Sequence, residues 1–455
     1  MCGQDASREL AGRFEPGPVG GARRTVGLDD LIEIARAIAH SDEVRRTAAG
    51  FVGYGATKPG DRVLIGVDTQ TDPDITDAVA SALREMGASV DIVIAQAEPD
   101  RQFEDLDEMR VAIRREPWVA NPRRWEGTPW IEDLAKTRGY DLLIHGKGGA
   151  IPKVSHRYEG FPWVVKDHFA RGANLFPREL HRLINERTWS RITGNPGGRL
   201  VLTDPEGTKV TLTILEKPLT DPGRHDYGLT PKWGHLMAHP PTPIEPEDDS
   251  RGVIAGTLNH YSRPFPRIEV DLENARMTGI RGGGAYGAEW RRLEDESKDT
   301  QYPCFPAPGL FWLWELAIGT NPKIVRPSNI QQLSSGGFEW ERRRAGIIHC
   351  GIGTRWRSSE EVWAGERGLL YGHLHVHLMA PTLTVETSSG DVPVIERGRL
   401  SAYDDPDVRD VAARYGDPDQ ILSDDWIPEI PGVTVPGSYT EYAADPARWV
   451  YGYGR

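Results

Sequence analysis

The chain has 455 residues, and its 67 Asp and Glu against 54 Lys and Arg give a formal net charge of −13. This length suggests one large domain or a few smaller ones with a buried core, and the negative charge argues against non-specific nucleic-acid binding, which needs a basic surface. Three widely spaced Cys exclude a disulfide framework and a thiolate metal site, so any metal would be held by His and carboxylates.

Membrane and secretory signals are missing from the sequence. No apolar stretch approaches the roughly 18 residues that a membrane span needs, and the first residues lack the apolar core of a signal peptide. We therefore expect a cytoplasmic protein with a small-molecule partner, without nucleic-acid or membrane partners.

The first half of the chain shows the pattern of an α/β domain. Residues 1–24 are rich in Gly, Pro and Arg without periodicity, which predicts a flexible N-terminal arm. Over 62–95, an apolar run, an amphipathic segment and a second apolar run predict a βαβ unit. A third strand is predicted over 140–146. Together these patterns predict an α/β N-terminal domain, built from parallel βαβ units, over 25–197.

The second half is richer in strands and turns. Two alternating runs flank Pro205–Gly207 and predict a hairpin, several further strand patterns follow, and a helix pair is predicted within 285–320. These patterns predict an α+β C-terminal metal-binding domain over 198–402. The acidic, Pro-rich residues 403–455 are predicted to form a surface extension.

Several common catalytic motifs are absent from the sequence. The Gly-rich segment after the third predicted strand, GKGG, lacks the dinucleotide-binding spacing, and no P-loop is present. The sequence also has no H-E-x-x-H zinc motif and no G-x-S-x-G nucleophile elbow. Nucleophilic serine chemistry therefore has no support.

Three of the thirteen His lie in the short segment GHLHVHL, at His373, His375 and His377. In an extended strand they would face one side and the intervening apolar residues the other. Imidazoles at this spacing can share a transition metal. The alternative is that they form a solvated strand face without a ligand.

Two further residues extend this candidate site. Glu315 lies among apolar and aromatic residues, where a carboxylate is costly to bury unless it is paired or binds a metal. His349 ends an apolar strand pattern, although a single His in such a place is often structural. With His375 and His377 they supply one carboxylate and three imidazoles, enough for a mononuclear site with open positions.

The remaining His are weaker candidates. The pair His235 and His239 precedes two Pro, which argues against a helix beyond them. His145, Asp167 and His168 could face a cleft between domains. All five are more typical of structural residues.

The order of these motifs, from KPGDRVLIGVD through GGRLVLTDPEGTKVTLTI, ELAIGTNPKI and GIIHCGIGT to HVHL, resembles the aminopeptidase T-like family of metallopeptidases over roughly residues 45–400. The resemblance implies an N-terminal α/β domain, a C-terminal α+β domain with two metals, and a homodimer. The family also has divergent relatives, the 2,5-dihydroxypyridine dioxygenases, which use a single non-haem iron.

The resemblance carries over only part of the family's metal site. Glu315, His349 and His375 match family ligands, but His377 stands where the family has Asp, and Gly234-His235 stands where it has Gly-Glu. The family's catalytic Tyr has no secure counterpart. Because carboxylates bridge two cations and a neutral imidazole ordinarily does not, these departures weaken the case for a two-metal peptidase.

Two enzymatic hypotheses follow. The favoured one is a mononuclear non-haem iron dioxygenase that opens a hydroxylated aromatic or pyridine ring, with Glu315, His349, His375 and His377 as ligands and His235 or His373 as acid or base. The alternative is a metallo-aminopeptidase or amidohydrolase that uses metal-activated water on a small amide or peptide. The expected cofactor is one divalent transition metal, with iron(II) favoured over zinc, manganese or cobalt. A non-catalytic protein with a decayed site is the third hypothesis.

Overall fold

A computed structural model describes most of the chain. The described residues are 27–40, 54, 57–69, 71–96, 113–115, 129–146, 157–161, 166–170, 175–215, 235–237, 248–259, 263–303, 305–326, 343–354 and 359–450. The predicted N-terminal arm lies outside them.

In the first half, the helices alternate with four parallel strands. The elements are α1 (Leu28–Ala39), β1 (Arg62–Asp68), α2 (Pro73–Glu85), β2 (Ser89–Ala95), β3 (Ile113–Arg114), α3 (Pro129–Thr137), β4 (Leu142–Gly146), β5 (Arg157–Phe161), α4 (Lys166–Phe169) and α5 (Arg178–Thr193). Strands β2, β1, β4 and β5 pair in that order and in parallel. The predicted βαβ unit is therefore confirmed.

The helices cover both faces of this parallel sheet. On one face, Val63 and Ile65 of β1 pack in a cluster with Leu31 of α1 and Leu83 of α2. On the other face, Leu64 packs in a cluster with residues of α3. A parallel sheet buried on both sides explains why its strands read as nearly continuous apolar runs.

The second half consists mainly of antiparallel strands. Its elements are β6 (Arg199–Thr203), β7 (Lys209–Thr213), β8 (His235–Met237), β9 (Arg251–Leu258), β10 (Pro264–Glu273), β11 (Arg276–Gly282), α6 (Gly284–Ser297), β12 (Leu313–Gly319), β13 (Ile348–Gly353), α7 (Ser359–Gly365), β14 (Tyr371–Leu378), β15 (Thr382–Thr387), β16 (Gly390–Glu396) and β17 (Arg399–Leu400). The hairpin around Pro205–Gly207 is confirmed as β6 and β7. The predicted helix pair within 285–320 is wrong in its second member, because β12 is a buried strand.

The strands of the second half form two sheets. One has eight strands in the order β11-β10-β9-β7-β6-β15-β16-β17, and the other has five in the order β3-β14-β13-β12-β8. The second sheet is called the metal sheet below. The two sheets are in close contact at Gly256 of β9, where a Cβ atom would lie 2.6 Å from Val376 Cγ1. Glycine is therefore needed at this crossing.

The last part of the chain packs against this two-sheet core. A 3₁₀ turn (Ser401–Asp404) leads to α8 (Pro406–Ala412), α9 (Pro418–Ile421), α10 (Tyr439–Ala444) and α11 (Pro446–Val450). Ile430 and Tyr442 are buried in a cluster with Ile347 and Met379. The segment over 403–450 thus contributes to the core, while the predicted domain boundaries stay predictions. Within the described ranges no helix is long and apolar enough to span a membrane.

Candidate metal centre

The central strands of the metal sheet bring the predicted ligands onto one face. Glu315 of β12 pairs with Gly351 of β13, which pairs with His375 of β14. In the neighbouring row, His349 pairs with His377. Because directly paired residues of an antiparallel ladder project to the same side, these side chains share one face. The residues that alternate with them, including Cys350, belong to the core on the other face.

A β-bulge turns Glu315 toward this face. Leu313 pairs with Ile352, a core residue, yet Glu315 pairs with Gly351, and the register shifts between Leu313 and Glu315. Without the shift, Glu315 would lie on the same face as Leu313, two residues before it. The extra residue is Trp314. Bulges commonly re-aim side chains near functional sites in this way.

The carboxylate of Glu315 contacts the imidazoles of both His349 and His375. Its Oε1 lies 2.8 Å from His349 Nε2, and its Oε2 lies 3.3 Å from His375 Nε2. The two rings stack with centroids 5.2 Å apart and planes inclined by 17°. One ligand atom from each of the three residues lies within 4.8 Å of the others.

All three side chains of this triad are buried, with 4% exposure at Glu315 and at most 1% at His349 and His375. A buried carboxylate between two imidazoles is costly unless charge or a metal compensates it. One carboxylate oxygen and two imidazole nitrogens are also a suitable donor set for a divalent transition metal. The residues present therefore fit a metal ion.

Gly351 provides the room in which these donors converge. A Cβ atom at this position would lie 2.8 Å from Glu315 Oε2 and 3.0 Å from His375 Nε2. Real Cβ atoms essentially never approach a neighbour to under 3.0 Å. The absence of a side chain at the middle of the row is therefore a condition for the geometry of the triad.

The other two His of β14, His373 and His377, lie on either side of His375 along the strand. His377 is buried, and its ring centroid lies 6.0 Å from that of His375 and 5.8 Å from that of His349. It does not belong to the group of three, so its predicted role as a ligand stays a prediction. His373 is half-buried and stacks on His375 with centroids 4.8 Å apart.

The structure describes the predicted acid–base residues and the other candidate His only in part. The backbone of His235 pairs with Gly319, at the far end of β12 from Trp314. The side chains of His235, His145, Asp167 and His168, and all of His239, lie outside the described part of the structure. Catalytic roles for His235 and His373 therefore stay predictions.

Four acidic residues lie near His349 in the sequence, Glu339, Glu341, Glu360 and Glu361, and the structure describes the last two. Glu361 of α7 accepts a hydrogen bond from Thr354 Oγ1 at 2.9 Å, and the same hydroxyl accepts one from Gly372 N at 2.7 Å. Glu361 thus supports the backbone just before His373. Glu339 and Glu341 lie outside the described residues.

A buried polar group at the end of β12 was not identified from the sequence. His181 of α5 lies 3.0 Å from Thr320 Oγ1, which donates to Asn185 Oδ1 at 2.5 Å. Burial lowers the pKa of His181 to about 3 and keeps the imidazole neutral. The only sequence signal was an isolated His on a helix, which does not reveal such a contact.

Comparisons with known proteins gave no match to any family model and no match among curated proteins. Among solved structures, the chain is similar to 2,5-dihydroxypyridine dioxygenase from Pseudomonas putida, with a TM-score of 0.44 and 12% identity over 83% of this chain and 99% of that one. It is similar to AmpT from Thermus thermophilus with a TM-score of 0.44 and 13% identity over 82% and 99%. These values describe a distant resemblance of fold.

Proposed function

We propose that the protein is a mononuclear metalloenzyme and that Glu315, His349 and His375 hold its metal. The observation that carries the proposal is the convergence of these three buried donors on one face of the metal sheet. Two His and one carboxylate with open positions form the facial triad typical of non-haem iron(II) oxygenases. We therefore favour iron(II), and a dioxygenase that opens a hydroxylated aromatic or pyridine ring.

The chain's own residues would contribute geometry and exclusion of water. Glu315 lies against both imidazoles through its two oxygens, and the stacking of His349 on His375 holds the two rings side by side. Iron(II) held here would supply coordination positions for dioxygen and for a chelating substrate. Because the three donors are buried, access of bulk water to them would be restricted.

A hydrolase using metal-activated water is the competing proposal. It needs a carboxylate as general base. Among the described residues, the only carboxylate in the metal-binding group is Glu315, which contacts both imidazoles, and Glu361 binds Thr354. This arrangement favours the oxygenase. A homodimer, a cytoplasmic location and a small-molecule substrate stay predictions from the sequence.

Metal analysis combined with oxygen consumption tests the proposal. We expect protein purified without added metal and reconstituted anaerobically to bind one iron(II) per chain, and to consume oxygen with 2,5-dihydroxypyridine or a dihydroxybenzoate. His375→Ala should lose both properties, whereas His181→Gln, which alters a buried His outside the triad, should keep the metal. Stoichiometric zinc without iron uptake, together with cleavage of aminoacyl anilides, would establish the hydrolase instead.

A further inference from the structure

The face of the metal sheet that carries the triad also carries a donor that the triad does not use. Trp314 precedes Glu315 at the bulge, and only 6% of it is exposed. Its indole Nε1 is buried and has no hydrogen-bond partner among the described residues. Because buried N–H groups are nearly always paired in native proteins, an unpaired one next to a candidate active site points to a ligand that accepts its hydrogen bond.

Trp314 is connected to the triad through a row of rings. Its indole lies edge-to-face against His373, with centroids 5.2 Å apart and planes at 70°. His373 in turn stacks on His375, a member of the triad. The indole therefore lies one ring beyond the metal-binding residues, next to the one His of the row that is only half-buried.

The sheet surface between these side chains is formed by backbone alone. Gly351 pairs with Glu315 and His375, and Gly353 pairs with His373. Neither glycine has a side chain that could rise between β12 and β14. Glu315 and Trp314 on one strand and the imidazoles on the other therefore border the same stretch of backbone, which places the indole beside the candidate centre.

We propose that Trp314 determines substrate specificity by donating its indole N–H to an acceptor on a planar ring bound at the metal centre. This inference rests on the proposed function and adds to it a property of the substrate: a ring nitrogen or a ring carboxylate near the group that faces the metal. A site built to donate a hydrogen bond discriminates strongly against an analogue that lacks the acceptor, because the donor is then left unpaired.

Binding to zinc-loaded protein tests this without any turnover. The probes are 2,5-dihydroxypyridine, 2,5-dihydroxybenzoate and hydroquinone, which share two para oxygen substituents on a six-membered ring. The first carries a ring nitrogen, which accepts a hydrogen bond in the hydroxypyridine tautomer, the second carries a carboxylate, and the third carries neither. Trp314→Phe keeps an aromatic ring against His373 and removes the N–H donor, together with part of the indole's volume. Trp290→Phe is the matched control, because Trp290 is another buried indole without a partner for its Nε1 and stacks on Phe311 in the core.

Zinc content is measured first, and affinities follow by calorimetry. We expect wild type to bind one of the two acceptor-bearing rings about tenfold or more tightly than hydroquinone. Trp314→Phe should abolish this preference with unchanged zinc content, and Trp290→Phe should keep it. The preferred ring identifies the acceptor as nitrogen or carboxylate.

The inference is overturned if Trp314→Phe keeps the preference, if Trp290→Phe loses it equally, or if zinc-loaded wild type shows no preference or binds none of the probes. None of those results would contradict the proposed metal centre. Absence of stoichiometric zinc and iron from wild type would instead refute the proposed function and this inference together.

Discussion

At the scale of single residues, the candidate centre depends on one glycine and on which imidazoles reach the carboxylate. Gly351 leaves the space in which Glu315 and His375 approach each other. His377 shares the face of the sheet but stands outside the group of three. Each observation leads to a prediction about metal affinity.

Gly351→Ala should weaken metal binding by about tenfold or more, a size typical of changes that displace ligands without removing them. The added methyl group would lie 2.8 Å from Glu315 Oε2, so the carboxylate or the sheet must shift. Zinc affinity, measured by chelator competition, checks the prediction. Gly27→Ala is the control, because the nearest atom to its added methyl group would be 3.7 Å away. Equal affinity in both variants would contradict the proposed role of Gly351.

His375→Gln and His377→Gln should differ sharply in metal content. The first variant loses a donor that lies 3.3 Å from Glu315 Oε2, and we expect it to lose stoichiometric metal. The second changes a residue outside the group of three, so its metal content should be close to that of wild type. Elemental analysis after dialysis distinguishes them, and equal loss in both would instead support the four-ligand site predicted from the sequence.

At the scale of elements, a pair of buried carboxyls fixes the end of the strand that carries the His row. Asp204, in the turn between β6 and β7, accepts hydrogen bonds from Ala380 N at 3.1 Å and from Glu206 N at 2.8 Å. Glu206 accepts one from Tyr439 Oη of α10 at 3.0 Å. This turn therefore links β14 to the C-terminal helices.

The same turn should make stability depend on pH. Burial raises the pKa of Glu206 from 4.5 to about 8, helped by the charge of Asp204 and opposed by Thr257, Tyr439 and Arg267. The native state then holds a proton that the unfolded chain releases, so the free energy of unfolding contributed by this group falls as pH rises from about 4.5 to about 8.

Glu206→Gln, which keeps the size and the acceptor oxygen, should flatten this decline. Urea unfolding at a series of pH values between 5 and about 8.5 measures the effect. Glu366→Gln changes an exposed carboxylate, 64% accessible, and should leave the decline as in wild type. An identical pH profile for Glu206→Gln and wild type would show that the buried carboxyl does not titrate in this range.

At the scale of the whole molecule, the residues after 403 are fastened to the loop that follows β12. Lys323 Nζ donates to the carbonyl oxygens of Gln420 and Ser423 at 3.0 and 2.7 Å, and pairs with Asp425 at 3.0 Å. Ile324 next to it packs in the core cluster of the α/β half. One short segment thus joins the parallel sheet, the metal sheet and the C-terminal segment.

Lys323→Met should destabilise the protein by about 3 kcal/mol, because it leaves the mostly buried Asp425 without its cation. Chemical unfolding measures the loss. Lys298→Met breaks the exposed pair with Asp295 and should cost less than about 1 kcal/mol. If Lys323→Met lowers the free energy of unfolding no more than Lys298→Met does, the contacts of Lys323 contribute little to stability.

Much of the local structure could be predicted from the sequence. The βαβ unit, the hairpin around Pro205–Gly207 and the strand with three His follow from periodicity and turn residues, which act over a few neighbouring positions. The helix pair within 285–320 failed because β12 is buried on both faces, and its continuous apolar run resembles that of a buried helix.

The sequence by itself determined that any metal would be held by His and carboxylates, and it identified Glu315, His349, His375 and His377 as candidates. Only the tertiary structure decided that Glu315, His349 and His375 form a group of three, with His377 beside it, and that Trp314 and Gly351 adjoin this group. The reason is physical. Convergence depends on the pairing register of three strands and on a one-residue bulge, which are set by packing between sheets rather than by the pattern within any one strand.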